Sequence, residues 1–257
     1  NNTLSNWDST SITPGTEFMT KLNLQIKYHF KNVKKYNVNN IIISGSNEPG
    51  EGEHKIFDYI RNNKENIITK KNVVYGLDAD LIMLTINHLN YSKYMYLFRE
   101  TPDFIKSIDK SLDPNYLYMV DIPEFASQLV YYLNNDNIPK TEVEKNKIFD
   151  YIFLCFMLGN DFLPHFPALN IRTNGMDILL ETYRNVLGNT KQNIVKGDKI
   201  IWKNFRRLIK EISLHEENYI KNEDNDRRKK GKHKIKFDDN TTKFDKEMLH
   251  CPIQYRE

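Results

Sequence analysis

Two β-branched runs, Ile41-Ile42-Ile43-Ser44 and Val73-Val74-Tyr75, each lead through a glycine-bearing loop into an amphipathic stretch. The loop Gly45 to Gly50 precedes Ile56, Phe57, Ile60 and Arg61, and the loop Gly76 to Asp80 precedes Leu81 to Ile86. Short β-branched runs bounded by glycine read as buried strands, and the apolar recurrence after each reads as a helix. Two strand, loop and helix units in series bring their strands side by side in one direction. The fold class expected is therefore α/β, a mixed and mainly parallel sheet flanked by helices, followed by a helical region.

The remaining segments fill in around that frame. Thr13-Pro14-Gly15-Thr16 is turn chemistry, and Thr13 or Thr16 can cap a helix with Phe18, Leu22, Ile26, Phe30 and Val33 on one packed face. Met95 to Phe98 and Tyr116 to Val120 are further strand candidates, and Pro123 to Leu133 reads as a helix. The largely apolar stretch Lys147 to Leu158 is too long for most strands and reads as a buried helix, stopped at Gly159-Asn160-Asp161. Beyond Arg172, Met176 to Leu187 and Ile200 to Ile220 read as helices without intervening strands. The expected division is 1–172 and a helical region 173–257, with a mobile, charge-dense loop near 221–240.

Composition excludes several classes of function. Lysine and arginine number 37 against 34 aspartates and glutamates, a net charge of +3, too near neutrality for a histone-like or tail-driven nucleic-acid binder. Cys155 and Cys251 form no CxxC and stand far apart, so neither a disulfide framework nor a structural zinc site is indicated. No apolar run reaches the ~18 residues of a membrane span, and no apolar signal core follows the first residues. The expectation is an intracellular protein, placed in the cytoplasm rather than the nucleus, with no membrane partner.

Open α/β sheets bind ligands in the crevice beyond the carboxyl ends of their strands, so acids in the exit loops converge. The first loop supplies Glu51 and Glu53, the second Asp78 and Asp80, and a third Asp161. In an extended backbone, residues two apart point the same way, which lets each pair present both carboxylates to one point. Like charges ~4 Å apart repel by ~4 kcal/mol at an effective dielectric of ~20, so something must offset their assembly. Clustered oxygen ligands suit Mg2+ or Mn2+, and two such ions support phosphodiester hydrolysis. Individually, four of the five acids have a plainer reading. Glu51 and Glu53 suit a helix start, Asp80 can be an N-cap, and Asp161 can be a turn residue before Pro164. His54 and His165 lack a partner at ligand spacing and receive no catalytic role.

Four segments resemble, in order, the signature blocks of the XRN-type 5′-to-3′ exoribonuclease family: Ser11 to Met19, Pro49 to Ile56, Tyr75 to Leu84, and Leu154 to Pro167 with its Gly159-Asn160-Asp161-Phe162-Leu163-Pro164-His165 centre. They frame residues 9–172. The resemblance implies a PIN/flap-nuclease-like core in which Glu51, Glu53, Asp78, Asp80 and Asp161 are both the catalytic and the metal-binding carboxylates. It implies two Mg2+ or Mn2+ ions in the complete enzyme, and release of nucleoside monophosphates from single-stranded RNA bearing a 5′-monophosphate. Family members carry two further aspartates and a basic, phosphate-gripping helix upstream of the Thr-Pro-Gly block. Neither is found here, and Asp8 belongs to that block, so the chain is expected to be a portion of a longer enzyme that holds most of a site.

Two other readings stay open on the residues alone. The Glu-x-Glu, Asp-x-Asp and Gly-x-Asp order is also similar to that of flap endonucleases acting on DNA, and a catalytically silent RNA-binding remnant is a third possibility. Arg227 to Lys236 is the densest basic run, but the acids around it favour a mixed-charge solvated loop over an RNA contact. Aromatic side chains can stack on bases, yet pattern does not choose among them, Trp7 and Trp202 included.

Overall fold

The computed structural model describes residues 8–99, 101, 105–160, 163–171 and 174–231. They fall into two compact units, one formed by residues up to 72 together with 88–94, the other by 73–87 together with those from 95 on.

The first unit contains α1 (Glu17–His29), α2 (Gly52–Asn62) and α3 (Lys64–Ile67). Thr16 is the N-cap of α1, its hydroxyl accepting from Met19 N–H at 3.3 Å. The helix stops at His29, short of Phe30 and Val33, and it buries none of its residues, so the packed face expected along it is not formed. The strand expected at Ile41 to Ser44 is likewise absent: these residues are irregular, and Ile42 is 62% exposed. A strand exists only where a neighbour completes its hydrogen-bond ladder, and among the described residues none pairs with 41–44. The loop and helix that follow do form. The buried face of α2 is Phe57 and Ile60, and the His88 ring lies 4.5 Å from that of Phe57.

The second unit holds most of β1 (Lys71–Tyr75), then α4 (Asp80–Asn87) and all but the first residue of β2 (Tyr94–Phe98). Gly76 N–H donates to Phe98 O at 3.2 Å, which puts the carboxyl ends of these neighbouring strands side by side. After α5 (Ile105–Ile108), β3 (Met119–Asp121) pairs antiparallel with β2, with Leu97 opposite Val120. The sheet order is β1-β2-β3, a small mixed sheet. Of the strand expected over 116–120, only the last two residues are in β3.

Asp121 ends β3 and caps α6 (Ile122–Leu133), its carboxylate accepting from Glu124 N–H at 3.1 Å. Ile122, Ala126, Val130 and Leu133 recur on the buried face of that helix, and Val74, Met95, Leu97, Leu81 and Ile86 are also core. Next come α7 (Glu142–Lys145), closed by a Thr141/Glu144 capping box, and α8 (Lys147–Cys155) with a 3₁₀ turn at its end.

The largely apolar α8 buries two charges. Lys147 Nζ donates to the carbonyls of Leu187 and Gly188 at 2.9 and 2.7 Å. The Asp150 carboxylate accepts from Tyr183 Oη at 2.5 Å and from the N–H groups of Ile194 and Val195 at 2.9 and 2.7 Å. A buried charge without partners costs several kcal/mol, so these bonds are what permits both side chains in the interior. Burial nevertheless raises the Asp150 carboxyl above its ordinary range and lowers the Lys147 ammonium.

After these comes α9 (Gly175–Tyr183), which continues as a π-helical turn over Arg184–Gly188. A two-residue hairpin then intervenes, β4 (Val195–Lys196) with β5 (Lys199–Ile200), where no strand was expected. Gly197 at φ 62° makes its turn, a conformation that costs glycine little. The hairpin is followed by α10 (Trp202–Ser213) and α11 (Glu216–Gly231). Residues 221–231 are thus helical rather than the start of a mobile loop, and 232–240 lie outside the described residues. Charges at helical spacing support this: Lys221 pairs with Glu217, and Lys229 lies 3.6 Å from Asp226. Among the described residues no helix is long and apolar enough to cross a membrane.

Candidate active site

The two acidic pairs share one construction, each straddling the start of a helix. Gly50 adopts φ +93°, closed to most L side chains, and turns the chain into Glu51, the N-cap of α2 with ψ 152°. Glu53 follows in the first helical turn and is half-buried. Glu51 is exposed, with one carboxylate oxygen 3.7 Å from His54 Nε2. Glu53 has a contact of its own and is not a loose charge. Acidic side chains at both positions complement the partial positive charge of a helix N-terminus.

The second pair is set by β1 and its exit. A side chain at Gly76 would have its Cβ 2.2 Å from Leu81 Cδ1, so glycine lets α4 fold back against the strand end. Arg99 Nη2 donates to Leu77 O at 2.8 Å and pins the loop from β2, a role that pattern alone did not suggest for Arg99. Asp78 remains in the loop, exposed, and its Oδ1 accepts from the Asp80 N–H at 3.2 Å. Asp80 is the first residue of α4. As with Glu51 and Glu53, one carboxylate is on the loop and the next on the helix. Extended spacing alone therefore does not describe either pair.

Glu51 and Glu53 belong to the first unit, Asp78 and Asp80 to the second, and Asp161 lies outside the described residues. Beside it, Gly159 has φ +85°, and a Cβ there would lie 2.8 Å from His165 N. Asn160 Oδ1 accepts from Leu163 N–H at 2.8 Å while Asn160 N–H donates to Leu163 O at 2.9 Å. His165 Nδ1 donates to Phe166 O at 2.7 Å, in keeping with a hydrogen-bonding role. Among the described residues no three His, Cys, Asp or Glu side chains are grouped as a metal ion requires. What each pair offers is oxygen donors only, the chemistry of a hard divalent cation rather than of zinc.

Comparison with known proteins covers both parts of the chain. Residues 1–101 match the family model described as the XRN 5′-3′ exonuclease N-terminus, which includes both acidic pairs, and residues 141–254 match the Xrn1 helical domain. A 5′-3′ exoribonuclease 2 from Arabidopsis thaliana is 31% identical over 82% of this chain and 24% of its own length. A 5′-3′ exoribonuclease 2 from Candida glabrata is 30% identical over 94% of this chain and 27% of its own length. A 5′-3′ exoribonuclease 1 from Saccharomyces cerevisiae is 36% identical over 79% of this chain and 14% of its own length. The chain thus spans about a quarter or less of the curated relatives it matches. With two successive family models and relatives of one name along most of its length, the chain belongs to the XRN 5′-3′ exonuclease family.

Proposed function

We propose that this chain carries metal-binding carboxylates of a 5′-to-3′ exoribonuclease that removes nucleoside monophosphates from single-stranded RNA bearing a 5′-monophosphate. The observation that carries this reading is the pair of acidic loop-to-helix junctions, Glu51/Glu53 and Asp78/Asp80, inside a segment matched by the exonuclease family model. Glu51, Glu53, Asp78, Asp80 and Asp161 would hold Mg2+ or Mn2+, two ions in the complete enzyme. Ions bound in this way activate water and neutralise charge on the attacking and leaving oxygens of a phosphodiester. The chain's own contribution is to hold carboxylates at helix starts and to keep their loops fixed through Gly50, Gly76 and Arg99. The reading includes a PIN-like core with a mainly parallel sheet over residues 1–172, a helical region over 173–257, and action in the cytoplasm.

The test uses the full-length protein. Single-stranded RNA with a 5′-monophosphate, the same RNA with a 5′-hydroxyl, and a DNA flap are each incubated with Mg2+ or with EDTA. Monophosphate release from the first substrate alone, abolished by EDTA, is the expected result. Preference for the flap would move the protein to DNA, and no metal-dependent hydrolysis of any substrate would overturn the reading.

A further inference from the structure

The helix α10 separates its chemistry by face. Asn204, Leu208 and Ile212, at i, i+4 and i+8, are buried, whereas Lys203, Arg206, Arg207 and Lys210 are exposed at i, i+3, i+4 and i+7. This helix carries four cations and a single carboxylate, Glu211. Arg207 is turned to structural use, donating to Gln192 Oε1 at 2.7 Å and to Val186 O at 3.2 Å. Lys203, Arg206 and Lys210 form no ion pair among the described residues.

The hairpin before the helix extends the same charge. Lys196 and Lys199 are direct cross-strand partners, both exposed, with Asp198 the one acid in the turn. Like charges directly opposite on a strand pair destabilise it, and a bound polyanion would relieve that cost. The hairpin and helix are tied together, since Ile201 N–H donates to Ile194 O at 2.7 Å and Asn204 Nδ2 to Asn193 O at 2.8 Å. At their junction Trp202 is 55% exposed, yet its ring is held edge-on to Phe205 at 5.9 Å, and Phe205 in turn to Phe153 at 5.3 Å. An exposed indole anchored on one edge and set among cations matches what single-stranded nucleic acid requires: phosphate neutralisation beside a stacking platform.

We propose that Lys196, Lys199, Trp202, Lys203 and Arg206 form an RNA-docking surface on the helical region, built from residues other than the acids of the candidate active site. RNA as the ligand rests on the exoribonuclease reading above. On this surface the lysines and Arg206 contact phosphates and Trp202 stacks on a base without choosing its sequence.

The experiment measures binding of a fluorescent single-stranded oligouridylate RNA with a 5′-hydroxyl to the full-length protein in EDTA, across a salt series. Replacing Lys196, Lys199, Lys203 and Arg206 together by alanine should flatten the log–log salt dependence by roughly 2 to 3, at about 0.7 per lost phosphate contact. Trp202→Ala should weaken binding on the order of tenfold without changing that slope, and Trp202→Phe should recover most of the loss. Unchanged affinity and slope in both variants would overturn the proposal, as would polyglutamate competing as well as RNA while Trp202→Ala has no effect. If the quadruple variant does not fold, cross-linking of 4-thiouridine RNA to the unaltered protein decides. Adducts within 196–206 are expected, and adducts confined elsewhere contradict it. Patch-dependent binding without hydrolysis would sink the nuclease reading alone, and hydrolysis with patch-independent binding would sink the docking surface alone.

Discussion

Asp78 Oδ1 accepts the backbone N–H of Asp80 at 3.2 Å, so one candidate ligand shapes the turn that starts the helix bearing the other. A side chain with this double duty complicates mutagenesis, because losing the carboxylate and losing the turn can look alike. Asparagine keeps an acceptor oxygen at the same place and alanine does not. Asp78→Asn should therefore keep stability within about 0.5 kcal/mol of wild type, while Asp78→Ala should cost about 0.5–1 kcal/mol, the lower range for losing a helix-start acceptor. Both should abolish hydrolysis. Urea melts of the two variants, compared with their RNA turnover, check this, and wild-type turnover in Asp78→Asn would remove Asp78 from the site.

Gly159 precedes the Asn160 turn at φ +85°, and a Cβ there would meet His165 N at 2.8 Å. Backbone cannot step aside as a side-chain tip can. Gly159→Ala is expected to destabilise the second unit by about 1–3 kcal/mol through forced left-handed backbone and this clash. Equilibrium denaturation measures it, and an unchanged midpoint would mean that the turn adapts freely.

The strand Val73 to Tyr75, helix α4, and helix α6 were legible because a short β-branched run and recurrent apolar residues are local signals. Ile41 to Ser44 carries the same local signal and is not a strand, because ladder partners are a property of the fold and not of the run itself. The hairpin was missed although Gly197-Asp198 is turn chemistry, since its strands are only two residues each. The charge-dense 221–231 was read as a loop from its composition, while the i to i+4 pairing of Glu217 with Lys221 pointed to a helix. Of the candidate site, Glu53 and Asp80 were expected in strand-exit loops and stand instead in the first turns of α2 and α4, so only the loop positions of Glu51 and Asp78 could be read in advance. The bonds that fix those loops, such as Arg99 to Leu77 O across 22 residues, could not.

Asp150 supplies a pH test. Burial, the largest influence, raises its carboxyl in the folded state above the ordinary value of 3.8, against the opposing pull of Tyr183, Ile194 and Val195. The native chain then holds this proton more tightly than the unfolded chain. The stability it contributes is full below pH 3.8 and is lost as pH rises through the folded value. Asp150→Asn should flatten this part of the pH dependence, read from urea melts at successive pH values against wild type. Parallel curves would mean that Asp150 titrates alike in both states. Asp150→Ala leaves three donors, two of them buried and one partly so, without an acceptor and should cost about 3 kcal/mol.

The start of α6 gives a smaller, cleaner effect. Asp121 is exposed and accepts from Glu124 N–H at 3.1 Å, so Asp121→Ala removes a cap without opening a cavity. The expected loss is about 1 kcal/mol, with hydrolysis unaffected. A thermal melt with no shift would show that Pro123 and the buried face of α6 suffice to start the helix.

Metal binding by the full-length protein tests the central claim most directly. Mn2+ bound to the unaltered enzyme, followed by its paramagnetic resonance signal without RNA, should weaken on Glu53→Gln and on Asp78→Asn. The double variant should lose less affinity than two independent losses would give, because the proposal has both acids act on shared ions. Undiminished Mn2+ affinity in both single variants would contradict the account, since these carboxylates would then hold no metal.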